Sequence, residues 1–530
     1  MAAPGINLRR LESYLGGRWM AGTGDGTTLV NPASGEGVGW CSSSGVDLQS
    51  ALAYSRAVGG RGLRALSYST RAERLGKIAD LLTNERDRWL DIARTNSGNT
   101  RADASIDVDG ALGTLKYFSR LAGKLGETTL LTDGPAIRLA RDPNFQAIHI
   151  GVPLQGVAVH INAFNFPAWG LWEKAAVSLL AGVPVFSKPA SSTAWLSQEM
   201  VRRVVESKIL PDGSISILCG PVNDLLEHLQ AGDVVAFTGS ATTADQIRRH
   251  AAIRERGVRL NVEADSLNAA LLGPDAEPGS PAFGFFVREV VKEMTSKAGQ
   301  KCTAIRRIIV PAECETAVFQ AIAAELDKVV VGDPANPAVT MGPLANVAQR
   351  RSVEDGIRAL SAVAQLAYQP KPLSLVDADP EKGAFVGPTL FRTPKGGHAD
   401  LVHKLEIFGP VATVVSYKGR ADAFSLAEQG GGSLAASLFS ADPEFLLQAA
   451  VALGPSHGRL LLVDPSIGDS HTGHGIVMPS CTHGGPGRAG GGEELGGLRG
   501  LWFYHQKVAI QGSASMMEAL AAKAANPASA

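Results

Sequence analysis

Gly156-Val157-Ala158-Val159-His160-Ile161 opens a stretch that runs through Phe164-Asn165-Phe166-Pro167 into an apolar helical segment closed by Ala181-Gly182. The six residues from 156 read as a strand and residues 169–180 as a helix, with Gly182 suited to the left-handed cap that ends one. A second strand over 183–187 and a second helix over 193–207 follow, and 214–218, 234–237 and 259–262 supply further strands. Near-continuous apolar strands alternating with helices are the pattern of βαβ units, whose parallel sheet is covered on both faces. The expectation is a doubly wound nucleotide-binding domain, with an amphipathic helix over 71–93 packed outside it.

A second alternating region, from 283 to about 470, predicts another α/β domain. Its opening helix over 285–294 leads into the loop Lys297-Ala298-Gly299-Gln300-Lys301-Cys302-Thr303. Two large domains also suit the length, since 530 residues exceed what one core organises. Residues 483–500 are rich in glycine and read as a tight loop system. A phosphate cradle is the alternative, but the lysine and serine or threonine of a P-loop are missing. The alanine-rich segment after 511 is expected to be a flexible tail.

Composition narrows the partners. A hydrophobic content of 45% with 19% charged residues fits an ordinary globular protein. A net charge of −1 and the lack of a basic cluster argue against nucleic acid and against an anionic membrane surface. The apolar window at 175–186 is well short of the roughly 20 residues of a membrane span, and the amino terminus lacks the pattern of a secretory signal. Five irregularly spaced cysteines suggest neither a disulfide framework nor a zinc site, so no metal is expected and a reducing cytoplasm fits.

Three residues could do covalent chemistry on a carbonyl. Cys302 lies between Lys301 and Thr303 with Lys297 upstream, and a thiol with cationic neighbours can become a nucleophile. A buried structural thiol is its bland alternative. Asn165 follows the strand at 156–161, where open α/β sheets bind ligands, and its amide could hold an oxyanion. An asparagine before Phe-Pro also suits a plain turn. Glu263, at an apolar strand end, could act as a base on water, with Asp265 as the alternative base and a solvated strand-end carboxylate as the inert reading. Thr238-Gly239-Ser240 precedes a helix whose amino terminus could bind phosphate, and Lys188 closes the strand at 183–187 within reach of a ribose or phosphate.

Together these motifs resemble the aldehyde dehydrogenase superfamily, over about 17–511. Phe164-Asn165-Phe166-Pro167, Lys174, Lys188-Pro189-Ala190, Phe237-Thr238-Gly239-Ser240, Glu263, Gly299-Gln300-Lys301-Cys302 and Glu406-Ile407-Phe408-Gly409-Pro410-Val411 occur in the family's order. So do Val331-Gly332-Asp333-Pro334, Met341-Gly342-Pro343-Leu344 and Pro388-Thr389-Leu390-Phe391. The resemblance implies two Rossmann-like α/β domains and a small β oligomerisation element. Residues 1–136 and 151–273 would bind the dinucleotide, 274–480 would carry Cys302, 137–150 with 495–512 would form the oligomerisation element, and 513–530 would be the tail. It implies Cys302 as nucleophile, Asn165 as oxyanion donor and Glu263 as activator of the deacylating water. Ile161, Lys174, Lys188, Ser191, Gly220, Thr238, Gly239, Ser240, Glu406 and Phe408 would line the cofactor site. The assembly implied is a homodimer or dimer of dimers.

The departures from the family pattern are informative. Glu263-Ala264-Asp265-Ser266 replaces the usual Glu-Leu-Gly-Gly, and Ala244 stands where glycine is usual. The run His483–Gly497, with Asn261-Val262-Glu263-Ala264-Asp265-Ser266-Leu267-Asn268, resembles a subgroup that oxidises CoA-thioester semialdehydes after aromatic ring cleavage. Phenylacetate-pathway members of that subgroup carry a fused hydratase domain, for which 530 residues leave no room. The expected substrate is therefore the benzoyl-CoA-pathway compound 3,4-dehydroadipyl-CoA semialdehyde. A generalist aldehyde dehydrogenase, a CoA-acylating relative and a catalytically retired binding protein are the competing readings. Glu263 favours hydrolysis over transfer to CoA. In the family, NAD-specific members often place a glutamate three residues after the ribose-contacting lysine. Here that position is Ser191, so NADP is the expected cofactor, with capping of the helix near 193 as the alternative role of this serine.

Overall fold

The structure is a computed structural model and describes residues 8–393 and 400–527. Strands Arg259–Glu263, Val234–Thr238, Ala158–Ile161, Val185–Lys188 and Ile215–Ile217 lie side by side in that order and are parallel. The hairpin Ser13–Leu15 and Arg18–Met20 adds an antiparallel edge. Val157, Val159, Val185, Phe186, Val234 and Val235 are all buried, as apolar strands covered on both faces require. The chain winds away in both directions from Ala158–Ile161, which pairs with Val185–Lys188 on one side and with Val234–Thr238 on the other. Ile161 and Phe237 thus end side by side at a topological switch point, where a doubly wound sheet opens its ligand crevice.

The second sheet runs Gln365–Tyr368, Thr389–Arg392, Val411–Tyr417, Ile305–Pro311, Asn268–Leu272, Ser433–Phe439 and His457–Val463. All neighbours are parallel except the outermost pair, Gln365–Tyr368 with Thr389–Arg392. The edge strand Arg259–Glu263 of the first sheet leads through residues 264–267 straight into Asn268–Leu272, an inner strand of the second. Glu263 therefore sits where the two sheets join.

A third sheet is built on Phe145–Pro153 and His505–Ser513, antiparallel from His505↔Pro153 to Ser513↔Phe145, with Leu130–Thr132, Ile137–Arg138 and Ala524–Ala525 alongside. The two long strands are shifted later than the expected 137–150 and 495–512 but overlap both ranges, and Ile137–Arg138 falls within the first. Gly497–Tyr504 is a 3-10 helix, because Leu501 and Tyr504 turn inward and the Leu501 carbonyl bonds His505 Nδ1 at 2.7 Å.

Two further expectations are corrected. The helix expected over 71–93 is two helices, Tyr68–Thr83 and Arg86–Ser97. The break lets buried Trp89 fold back and donate Nε1–H to the Leu82 carbonyl at 2.8 Å. The tail expected to be flexible forms the helix Ala514–Ala521, capped by Ser513, and Met517 on it is buried against Ile148 and Ile150. Alanine favours a helix where one apolar anchor fixes it. Among the described residues no helix is long and apolar enough to cross a membrane.

Candidate active site

Cys302 follows a backbone kink that sequence patterning does not reveal. Lys297, Ala298 and Gly299 are consecutive left-handed residues at φ 52°, 51° and 68°. Two of the three are not glycine, a strained arrangement that needs strong surroundings to persist. A Cβ on Gly299 would lie 2.3 Å from the Gly409 carbonyl oxygen, so glycine is demanded there. The loop is tied down from several sides. Asp103 Oδ1 accepts Lys297 N–H at 2.8 Å, Arg306 donates to the carbonyls of Gly299 and Gly409 at 2.9 and 2.7 Å, and Asn268 Nδ2 donates to the Cys302 carbonyl at 2.8 Å. Beneath it, Lys301 Nζ meets Glu293 Oε1 at 2.6 Å in a fully buried pair. The Cys302 side chain is left partly exposed while the chain that carries it is fixed.

Glu263 faces that thiol. One donor atom each of Glu263, Cys302 and His483 lie within 4.8 Å of one another. His483 Nε2 is 3.1 Å from Glu263 Oε2, whereas Glu263 Oε1 is buried without a partner. Burial pushes the Glu263 carboxyl up, but His483 and Lys174 outweigh it and hold it below the usual carboxylate range. Burial and the neighbouring Glu263 both push the Cys302 thiol up. The resting pair is thus a thiol beside a carboxylate, arranged for transfer of the thiol proton when an electrophile arrives.

Behind Glu263 lies a buried charge cluster. Lys174 Nζ is 2.9 Å from Glu173 Oε1 and 2.9 Å from Glu494 Oε2. The glycine-rich segment delivers two members of this cluster as a hairpin, Thr482–Gly484 against Glu493–Leu495, with His483 opposite Glu494. The segment expected to be a tight loop system over 483–500 instead forms this hairpin and the start of the 3-10 helix Gly497–Tyr504, and its part in the site was not foreseen. Sequence reading missed His483, Glu494 and Glu173. Two acids inside an otherwise glycine-rich run were the available signal for Glu494.

Two cavities meet at the thiol. One of about 50 Å³ is walled by Phe166, Trp169 and Val477 and reaches Lys174 and His483. A larger cleft of about 460 Å³ is bordered by Ala190, Gly239, Ser240, Glu406 and Phe408. Ala163, Asn165, Thr238, Glu263 and Cys302 line both.

The larger cleft fits a nicotinamide dinucleotide. It opens at the switch point, Ser240 caps the helix Ala241–Arg249 at its rim, and the buried oxygens Thr238 Oγ1 and Glu406 Oε1 accept no protein hydrogen bond, Arg306 Nε standing 3.8 Å from the latter. A Cβ on Gly239 would come within 2.6 Å of the Phe237 ring. Burial raises the Glu406 carboxyl to about 7 although Arg306 is nearby. Phe408 packs edge-on to Phe164.

Other expected cofactor residues are placed differently. Ile161 and Lys188 end neighbouring strands, and Lys188 Nζ bonds the Pro189 carbonyl at 3.0 Å. Ser191 begins a 3-10 turn and makes no side-chain cap to the helix Ala194–Ser207, so the capping alternative falls away. Lys174 was expected at the cofactor and lines the smaller cavity instead, because two buried carboxyls hold its ammonium there. Gly220 packs against the backbone of Ser43, which a Cβ would meet at 2.5 Å, and lines neither cavity. Asp265, the alternative base, accepts Ala241 N–H at 2.8 Å and borders the larger cleft alone of the two.

Residues 19–497 match the family model described as "Aldehyde dehydrogenase family". The chain is 49% identical over 478 residues to 3,4-dehydroadipyl-CoA semialdehyde dehydrogenase of Aromatoleum evansii, covering 90% of this chain and 93% of that one. It is 41% identical over 177 residues to protein MaoC of Klebsiella aerogenes, covering 33% of this chain and 52% of that one. The fold resembles an NAD+ complex of an aldehyde dehydrogenase from Bacillus cereus, with a TM-score of 0.82, 21% identity, and 96% and 97% of the two chains covered. Betaine aldehyde dehydrogenase from Staphylococcus aureus in complex with NAD+ gives a TM-score of 0.81 at 23% identity, covering 96% and 95%.

Proposed function

This chain belongs to the aldehyde dehydrogenase family, and from that premise we propose that it oxidises a CoA-thioester semialdehyde, 3,4-dehydroadipyl-CoA semialdehyde, to the acid with NADP. The carrying observation is the meeting of two cavities at one thiol, with Asn165, Glu263 and Cys302 in the wall of both. A cleft suited to a dinucleotide on one side and an apolar pocket on the other are what hydride removal from a bound aldehyde requires. The wall of Phe166, Trp169 and Val477 suits an aliphatic chain.

Glu263 accepts the thiol proton as Cys302 Sγ bonds to the aldehyde carbon, and the Asn165 amide steadies the oxyanion of the thiohemiacetal. Thr238, Gly239, Ser240, Glu406 and Phe408 would hold the dinucleotide, with Lys188 and Ser191 at its adenosine end. When bound, its nicotinamide would accept the hydride that leaves a thioester on Cys302. Once the thiol proton has passed from Glu263 to solvent, the carboxylate takes a proton from water as the water oxygen bonds to the thioester carbon. Collapse breaks the C–S bond and returns the electron pair to sulfur. The 49% identity to a CoA-semialdehyde enzyme supports the substrate, and Ser191 in place of a carboxylate supports NADP.

The same reading puts the protein in cytoplasmic aerobic benzoyl-CoA degradation, as a homodimer or dimer of dimers. The edge strand His505–Ser513, with Ile137, Leu139, Phe145 and Val508 exposed nearby, supports assembly through the third sheet. A panel of CoA-linked and free semialdehydes of equal length tests the substrate by absorbance of the reduced cofactor. The CoA-linked compound should show a kcat/KM at least tenfold higher, about 1.4 kcal/mol from remote contacts. Equal values would return the protein to the generalist aldehyde dehydrogenases.

A further inference from the structure

His483 is delivered to Glu263 by a built connection. Gly492 N–H donates to the Val262 carbonyl at 3.1 Å, Glu493 N–H to Asn261 Oδ1 at 2.9 Å, and Ala264 N–H to the Ala489 carbonyl at 2.9 Å. The hairpin is thus laced to the strand that ends in Glu263. Both side chains of the pair are nearly sealed from water, at 6% and 4% exposure. Charged or titratable groups face the imidazole from each packed element. They are Glu263 from its strand, Glu173 and Lys174 from the helix Trp169–Ala181, Glu494 from the facing strand and Cys302 from its loop.

A carboxylate that must meet a thiol first and a water later needs one oxygen anchored and the other free. The arrangement has that form, with Oε2 on the imidazole and Oε1 unpartnered. We propose that His483 is a positioning residue for the hydrolytic half-reaction: its Nε2–H anchors Glu263 Oε2, and its charge sets how strong a base Glu263 is. The proposal rests on the reading that Glu263 activates the deacylating water. Neutral His483 leaves Glu263 a competent proton acceptor. Protonated His483 pins it as a weakly basic carboxylate. Burial lowers the imidazole, but Glu263, Glu173 and Glu494 outweigh that and hold it above its ordinary range. Deacylation should therefore be full on the alkaline side and fall as pH drops through neutrality.

Hydrolysis of p-nitrophenyl acetate tests this without any cofactor. The ester acylates a thiol and releases p-nitrophenolate in a burst, and the steady phase then reads deacylation. His483→Gln keeps an N–H donor but does not titrate. It should stay within about tenfold of wild type at pH 8 and lose the acid limb of the steady phase. His483→Leu removes the donor and should slow the steady phase about 100-fold while the burst keeps its amplitude. Glu494→Gln should move the limb to lower pH without abolishing it. A wild-type limb retained in His483→Gln, or unslowed deacylation in His483→Leu, would overturn the proposal. If neither variant folds, the wild-type profile still decides, and a steady phase flat down to pH 5 overturns it. Glu263→Gln separates the two readings, since an unslowed steady phase there refutes the base assignment itself.

Discussion

Replacing Lys174 by methionine removes the cation around which buried carboxyls gather while keeping much of the side-chain volume. The ammonium is 1% exposed, 2.9 Å from Glu173 Oε1 and 2.9 Å from Glu494 Oε2, whose side chains are 12% and 8% exposed. Solvent screening, which makes surface pairs nearly worthless, does not operate at this depth. Breaking a buried pair typically costs about 3–5 kcal/mol, because the remaining charge has no partner. Asn261 Nδ2 still donates to Glu494 Oε1 at 3.2 Å, so the lower end of that span, about 3 kcal/mol at pH 8, is the expected loss. Burial already raises the Glu494 carboxyl above the usual range with Lys174 present, and losing the lysine raises it further. A group whose folded pKa lies above its unfolded value makes the native state bind more protons, so stability falls as pH rises. Lys174→Met should accordingly be hurt less at pH 6 than at pH 8, by at least about 1 kcal/mol, within the roughly 1.4 kcal/mol per proton per pH unit that linkage allows. Urea unfolding followed by tryptophan fluorescence at both pH values measures this, and Trp169 and Trp172 on the same helix report directly. A loss under about 1 kcal/mol at pH 8, or an equal loss at pH 6, would mean that Lys174 does not hold these carboxyls in place.

Cys302→Ala should abolish aldehyde oxidation while cofactor titration by fluorescence stays near wild type, and residual turnover above about 1% would remove Cys302 from the nucleophile's role. Wild-type enzyme should prefer NADP to NAD in kcat/KM, and Ser191→Glu should shift the preference toward NAD by about tenfold, or 1.4 kcal/mol. A wild-type preference for NAD would contradict that. Gly299→Ala places a methyl 2.3 Å from the Gly409 carbonyl at φ 68° and should lower kcat by at least about tenfold through displacement of the thiol loop. Unchanged kcat would mean that the loop tolerates the shift.

Most parallel strands of the first domain were legible because they are buried on both faces and read as short, largely apolar runs. Expected strands at 234–237 and 259–262 correspond to Val234–Thr238 and Arg259–Glu263. Asn165, Glu263 and Cys302 were legible as motifs, and the structure brings them to one cavity wall. The small strands Ser13–Leu15 and Arg18–Met20 left no such trace, because they form only on the edge that Ile215–Ile217 provides. His483 and Glu494 were not legible as site residues for a related reason. Their place depends on contacts with the Asn261 side chain and the Val262 carbonyl, more than two hundred positions earlier, and no local pattern encodes such a distant partner. The carboxyls that pair with Lys174 were not legible, because a motif names a residue but not the acids that gather round it.

Everything proposed for the chemistry depends on a thioester on Cys302 that water releases only with the help of Glu263. Rapid mixing of Glu263→Gln with a CoA-linked semialdehyde and NADP tests it, with intact-protein and peptide mass spectrometry on the quenched sample. A burst of reduced cofactor close to one per site is expected, then a stall, with the acyl mass on the peptide that contains Cys302. Steady turnover at the wild-type rate, or an acyl group on any other residue, would contradict it.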